Sequence, residues 1–163
     1  RTTMPEVFVG VGSNVDPEMY FVRAIREMDR RFGLVRRSAV LRTEAVGFDG
    51  DAFLNMVVSW RTDLALDELM AALGEIEVLC GRSRNDMRFG PRTMDLDLLL
   101  YGDEIHDTPP LPRPEIMEYG FVLGPLAELS PMRKHPTLDK TFQDLWLEKR
   151  DEMPAMETVS MPW

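Results

Sequence analysis

The sequence predicts an α+β sandwich, a mainly antiparallel sheet with helices packed on it. Three observations lead there. Residues 17–32 and 63–80 set apolar side chains at helical spacing. Residues 7–11 and 95–101 are short apolar runs, and residues 54–61 alternate apolar with polar, as strands do. The elements then follow in the order strand, helix, strand, strand, helix, strand.

Residues 7–11 read as a strand buried on both faces, broken by Gly10, Gly12, Ser13 and Asn14. No Lys-Ser/Thr follows, so this is not a Walker loop. Asp16-Pro17 predicts a helix start, with Asp as cap and Pro at the first helical position. Phe21, Ala24, Ile25, Met28 and Phe32 mark its buried face. Residues 35–43 read as a second strand, residues 44–52 as a Gly- and Asp-rich loop, and residues 54–61 as a half-buried third strand. The second helix buries Leu66, Leu69, Met70, Leu73, Ile76 and Cys80, and Gly81 ends it. Residues 95–101 form the fourth strand, 107–114 a proline-rich loop, 121–129 a short apolar stretch and 141–149 a third helix. Residues 151–163 are expected to be a loosely held tail of a single domain spanning 1–163. Two split βαβ-type units in this order make a ferredoxin-like sandwich, whose helices are expected on one face of the sheet.

At 163 residues the chain can bury a real core. Its 44% hydrophobic and 29% charged residues are those of a soluble globular protein. No apolar run could span a bilayer and no secretory signal opens the sequence, so no membrane association is expected. A single cysteine suits the cytoplasm, and Cys80 reads as a core residue, not a nucleophile. His106 and His135 stand alone and support no zinc site. A net charge of −9 argues against nucleic acid as a partner. A monomer is expected.

The sharpest chemical signal is Asp95-Leu96-Asp97, two carboxylates spaced i, i+2 in an apolar strand. Such residues share a face, with Leu96, Leu98 and Leu100 buried on the other. Two like charges this close call for a cation, and Mg²⁺ suits a few carboxylates plus waters and phosphates. A plain salt-bridge cluster or a solvated face is the bland alternative. The window 81–93 tips the balance. It carries Arg82, Arg84, Arg88 and Arg92 against Asp86, a net of +3 in a chain of −9, which leaves −12 for the rest. Arginine forks hold phosphate oxygens. Carboxylates for metal beside arginines for anion are the equipment of phosphoryl transfer.

These residues carry a family resemblance. Val11-Gly12-Ser13-Asn14, Arg42-Thr43 with Phe53-Leu54-Asn55, Ile76-Glu77 with Gly81-Arg82, Phe89-Gly90-Pro91-Arg92-Thr93-Met94-Asp95-Leu96-Asp97, and Phe121-Val122-Leu123-Gly124-Pro125-Leu126 are similar to blocks of the 6-hydroxymethyl-7,8-dihydropterin pyrophosphokinases of folate biosynthesis. The resemblance runs from the first strand to Pro131. It implies transfer of the β,γ-diphosphate of ATP to the pterin hydroxymethyl oxygen, with release of AMP. It implies two Mg²⁺ ions on Asp95 and Asp97. Arg82 and Arg92 match catalytic phosphate contacts, on a loop that closes over the site. Glu77, Arg84, Arg88, Leu98, Leu111 and Arg113 are expected near ATP. Thr43, Glu44, Ala45 and Val46 match the stretch lining the pterin, Asn55 the amide that reads its edge, and Phe53 and Phe121 the rings that sandwich it; Asp95 also faces the pterin. Taken alone, Phe53 and Phe121 would read as core and Glu77 as a surface glutamate.

The chain also departs from the family pattern. Pro112-Arg113-Pro114 stands where Pro-His is usual, Tyr119 where arginine is usual, Asn85 where a basic residue is common, and Phe89 where Trp is common. Two other readings follow: a catalytically weakened paralogue that binds nucleotide or pterin as a regulatory module, and a generic metal-binding scaffold.

Overall fold

The structure is a computed structural model and describes residues 4–44, 52–81 and 93–163. Its elements are β1 (Glu6–Ser13), α1 (Pro17–Phe32), β2 (Arg36–Arg37), β3 (Val40–Thr43), β4 (Phe53–Arg61), α2 (Leu66–Leu79), β5 (Asp95–Tyr101), α3 (Gly120–Leu129), α4 (Phe142–Lys149) and β6 (Glu157–Val159). The strands run β5-β1-β4-β3-β6, with β2 also on β4. Every pairing among the described residues is antiparallel. β5-β1-β4-β3 is the interleaved order that two split βαβ units generate, so the α+β expectation holds.

The expectation of helices on one face does not. Val7, Val9, Val11, Met56, Val58, Leu96 and Leu98 join α1 and α2 in one core. Phe8, Val57 and Leu99 join α3 and α4 in a second core on the opposite face. The 120–129 stretch is a helix buried through Val122, Leu123, Pro125, Leu126 and Ala127. This second layer also explains why β4 is buried on both faces instead of half-buried. Its alternating Asn55 and Ser59 are buried, with side-chain partners in Thr43 and Glu6.

Three further expectations are corrected. Leu100 belongs to the second core, not to the face of Leu96 and Leu98. The β1–β5 register shifts between Phe8 and Val9, which pair with Leu100 and Leu98; the extra Leu99 is a bulge that turns the strand over. The strand expected over 35–43 is split in two. Ser38 is buried at the break, where its hydroxyl accepts the Val57 N–H at 2.9 Å in place of a main-chain ladder bond. Asp16 precedes α1 as expected, but at φ 43° it makes no side-chain cap. Capping needs extended backbone at that position. Residues 151–163 are largely exposed, yet Glu157–Val159 pairs with β3, with Val159 opposite Val40.

Candidate active site

On β1 and β5 the second face changes character toward one end. Phe8 and Leu99 pack in the second core, but beyond them the same face carries Gly10, Gly12, Asp97 and Asp95. The register sets Gly10 beside Asp97 and Gly12 beside Asp95. Across the sheet, Gly12 also pairs with Asn55, and Thr43 with Phe53. Asp95, Asp97, Gly10, Gly12, Asn55, Phe53 and Thr43 thus share one face. It is a polar trough with a glycine floor, continuous with the α3–α4 core.

The floor is glycine for a reason. A Cβ on Gly12 would come within 3.0 Å of Asn55 Oδ1. Glycine inside a strand marks such a close approach. No site role follows for Gly10 and Gly12 from the sequence analysis, although their alternation within an apolar strand is the available signal.

Asn55 is buried, and its Nδ2 donates to Thr43 Oγ1 at 2.9 Å. That bond uses one amide hydrogen and fixes the side chain on the trough. With the pterin that the resemblance implies on this face, Asn55→Leu is expected to weaken its binding by roughly 1–3 kcal/mol, because a buried polar partner loses its match. Nucleotide binding without pterin is expected to change little. Calorimetric titration of each ligand checks both.

Asp97 lies near the turn that follows Leu111. Arg113 Nη2 donates to Asp97 Oδ1 at 3.3 Å, and Arg113 Nε lies 3.3 Å from Glu115 Oε2 without hydrogen-bond alignment. Partial burial and the neighbouring Asp95 carboxylate push Asp97 up to about 7, while Arg113 pulls the other way. Desolvation is incomplete, since 42% of the Asp97 side chain stays exposed. A strained, partly open carboxylate pair fits a hard cation that keeps some waters and phosphate oxygens among its ligands.

Glu77 approaches β5 from the helix side and adds negative charge near Asp97. From α2 its Oε2 accepts the Leu96 N–H at 2.8 Å, on the outer edge of β5. It fastens the aspartate strand to the helix. Glu77→Ala is expected to lower stability by about 1.5–3 kcal/mol in urea unfolding, the value of one hydrogen bond to a charged group. Leu98 and Leu111, expected near ATP, have side chains buried in the first core, so only their main chain could reach a ligand. Phe121, at the start of α3, stacks on Tyr119 with centroids 4.9 Å apart. Glu44 is exposed just past β3. Ala45, Val46, Arg82, Arg84, Arg88 and Arg92 lie outside the described residues, as do Asn85 and Phe89. Cys80 is buried and its thiol is pushed up to about 11 by that burial, as suits a core residue.

The sequence model of the 7,8-dihydro-6-hydroxymethylpterin-pyrophosphokinase (HPPK) family matches residues 8–131, which include most of β1 and all of β2 to β5. The chain belongs to this family. It is 34% identical over 145 residues to 2-amino-4-hydroxy-6-hydroxymethyldihydropteridine pyrophosphokinase of Aquifex aeolicus, covering 86% of this chain and 90% of that one. It is 36% identical to the protein of the same name from Bacillus subtilis, over 87% of this chain and 90% of that one. It is also 41% identical to a folate synthesis bifunctional protein of Arabidopsis thaliana, over 78% of this chain but 28% of that longer protein. Membership of a pyrophosphokinase family makes the Asp95–Asp97 trough the candidate site of diphosphoryl transfer.

Proposed function

We propose that this chain transfers the β,γ-diphosphate of ATP to the hydroxymethyl oxygen of 6-hydroxymethyl-7,8-dihydropterin in folate biosynthesis, releasing AMP. The observation that carries the reading is the carboxylate pair on a glycine floor, set on the same sheet face as the buried Asn55 amide, in an HPPK-family chain. Asp95 and Asp97 would hold two Mg²⁺ ions. When bound, these neutralise the triphosphate and polarise the phosphorus under attack.

The chain's own residues supply the rest. Asn55, oriented by Thr43, pairs with the pterin edge, which needs both a donor and an acceptor. Phe53 and Phe121 offer ring faces for stacking. Arg113, with Arg82 and Arg92, carries positive charge to the phosphates, and Arg84 and Arg88 add to it. Excluding water around the triphosphate favours the pterin hydroxyl over hydrolysis. The protein acts as a cytoplasmic monomer with no nucleic-acid partner. Among the described residues, no helix is long and apolar enough to cross a membrane.

The weakened-paralogue reading draws on the Tyr119–Phe121 stack, since a neutral ring stands where the family arginine is usual. AMP release from ATP, Mg²⁺ and 6-hydroxymethyl-7,8-dihydropterin separates the two. An active enzyme releases AMP in step with pterin diphosphate. The regulatory module binds its ligands and releases none.

A further inference from the structure

Arg113 is held in an unusual way. Prolines flank it, fixing the ring torsions at 112 and 114 and confining Arg113 itself to extended backbone, φ −68° and ψ 130°. Its N–H donates to Leu99 O at 3.0 Å, tying that backbone to β5. The side chain therefore swings from a fixed point. Its fork reaches Asp97 at 3.3 Å, longer than the 2.7–2.9 Å or so of a tight charged hydrogen bond. Its Nε is buried beside Glu115 with no hydrogen bond made. Around Asp97 stand Asp95, Glu77 and Glu115, with Arg113 the single cation acting on it among the described residues.

We infer that Arg113 is a resident counter-cation of Asp97 in the free protein, and that a divalent ion enters by displacing it from that carboxylate. This rests on the reading of Asp95 and Asp97 as metal ligands. A loose pair can be exchanged, and an ion with two charges at a point outcompetes one charge spread over a fork. Displacement leaves the guanidinium only the unaligned Glu115 carboxylate, 3.3 Å from its Nε, and a polyphosphate offers it further oxygens. Metal alone therefore binds weakly, and metal and polyphosphate strengthen each other's binding, because each removes a penalty that the other would meet. The family's usual histidine at this position is a weaker and titratable counter-charge. Arg113 thus makes this chain more dependent on nucleotide for holding its metal.

Mn²⁺ binding to the nucleotide-free protein, read from the resonance of free Mn²⁺, tests the inference. Arg113→Gln is expected to tighten Mn²⁺ about tenfold without nucleotide. With a non-hydrolysable ATP analogue present, that gain is expected to disappear. Asp97→Asn is expected to lose most Mn²⁺ binding in either background. In the wild-type protein, the guanidinium ¹⁵N resonance of Arg113 is expected to move on Mg²⁺ addition, a measurement that needs no variant. Unchanged or weaker Mn²⁺ binding in Arg113→Gln, or an unmoved resonance, overturns the counter-cation role while leaving the metal site standing. Full Mn²⁺ binding in Asp97→Asn overturns the metal-site reading itself, and the inference with it.

Discussion

Asp97→Asn is expected to lower turnover about a thousandfold, equivalent to about 4 kcal/mol of lost transition-state stabilisation, and Asp95→Ala to do the same. Neither change should unfold the protein. Asp97 is partly open, and Asp95 sits in its electrostatic field, so removing either charge relieves repulsion. The metal-free stability of Asp97→Asn carries a second signature. Asp97 is pushed up to about 7 from an ordinary value near 3.8. A carboxyl raised on folding adds stability that is fully present below its unfolded value and lost as pH rises through its folded one. The wild type should therefore lose stability from this group between about pH 4 and pH 8, and the asparagine variant should not. Thermal midpoints in chelator across that range check it: the variant should gain on the wild type as pH rises. Near-normal Mg²⁺-dependent turnover in both variants would remove the aspartates from the mechanism.

Arg113→Ala is expected to lower kcat/KM for ATP by roughly 1.5–3 kcal/mol, the scale of a charge-assisted hydrogen bond. The loss should appear with nucleotide at fixed pterin, because Arg113 stands on the Asp97 side of the trough. Tyr119→Phe should matter much less. Its ring already stacks on Phe121, and phenylalanine keeps that contact. Steady-state kinetics of both variants decide the matter. A silent Arg113→Ala beside a crippled Tyr119→Phe would move the charge requirement to another residue.

The parts of this molecule that were legible in the sequence are those with local causes. The bounds of β5 are those of its apolar run, residues 95–101. The i, i+2 aspartates share a face because strand geometry requires it. The buried stripes of α1 and α2 follow from helical spacing, and Leu69, Leu73, Ile76 and Cys80 are all buried. What escaped has distant causes. α3 is apolar nearly all round, so no period distinguishes it, and only the second core explains it. The Leu99 bulge depends on register with β1, which residues 95–101 do not encode by themselves. Glu77 reads as a surface residue until the Leu96 N–H of β5 is placed beside it. Arg113 reads as a positive charge, but its partner is sixteen positions upstream, across a turn.

The central place of β1 has a consequence for the newborn chain. β1 pairs with β4, which begins at Phe53, and with β5, which begins at Asp95. As the chain leaves the ribosome, β1 must wait unpaired for partners far behind it, its apolar faces open to water. Loop-closure entropy delays both pairings. α1 can shield one face early, since it follows at once and packs on β1. The face with Gly10 and Gly12 gains its aspartates only when β5 is made, and its cover only with α3 and α4. The face with the aspartates is then completed only after β5, α3 and α4 are made, and a chain stalled before residue 101 would expose a template strand to its neighbours.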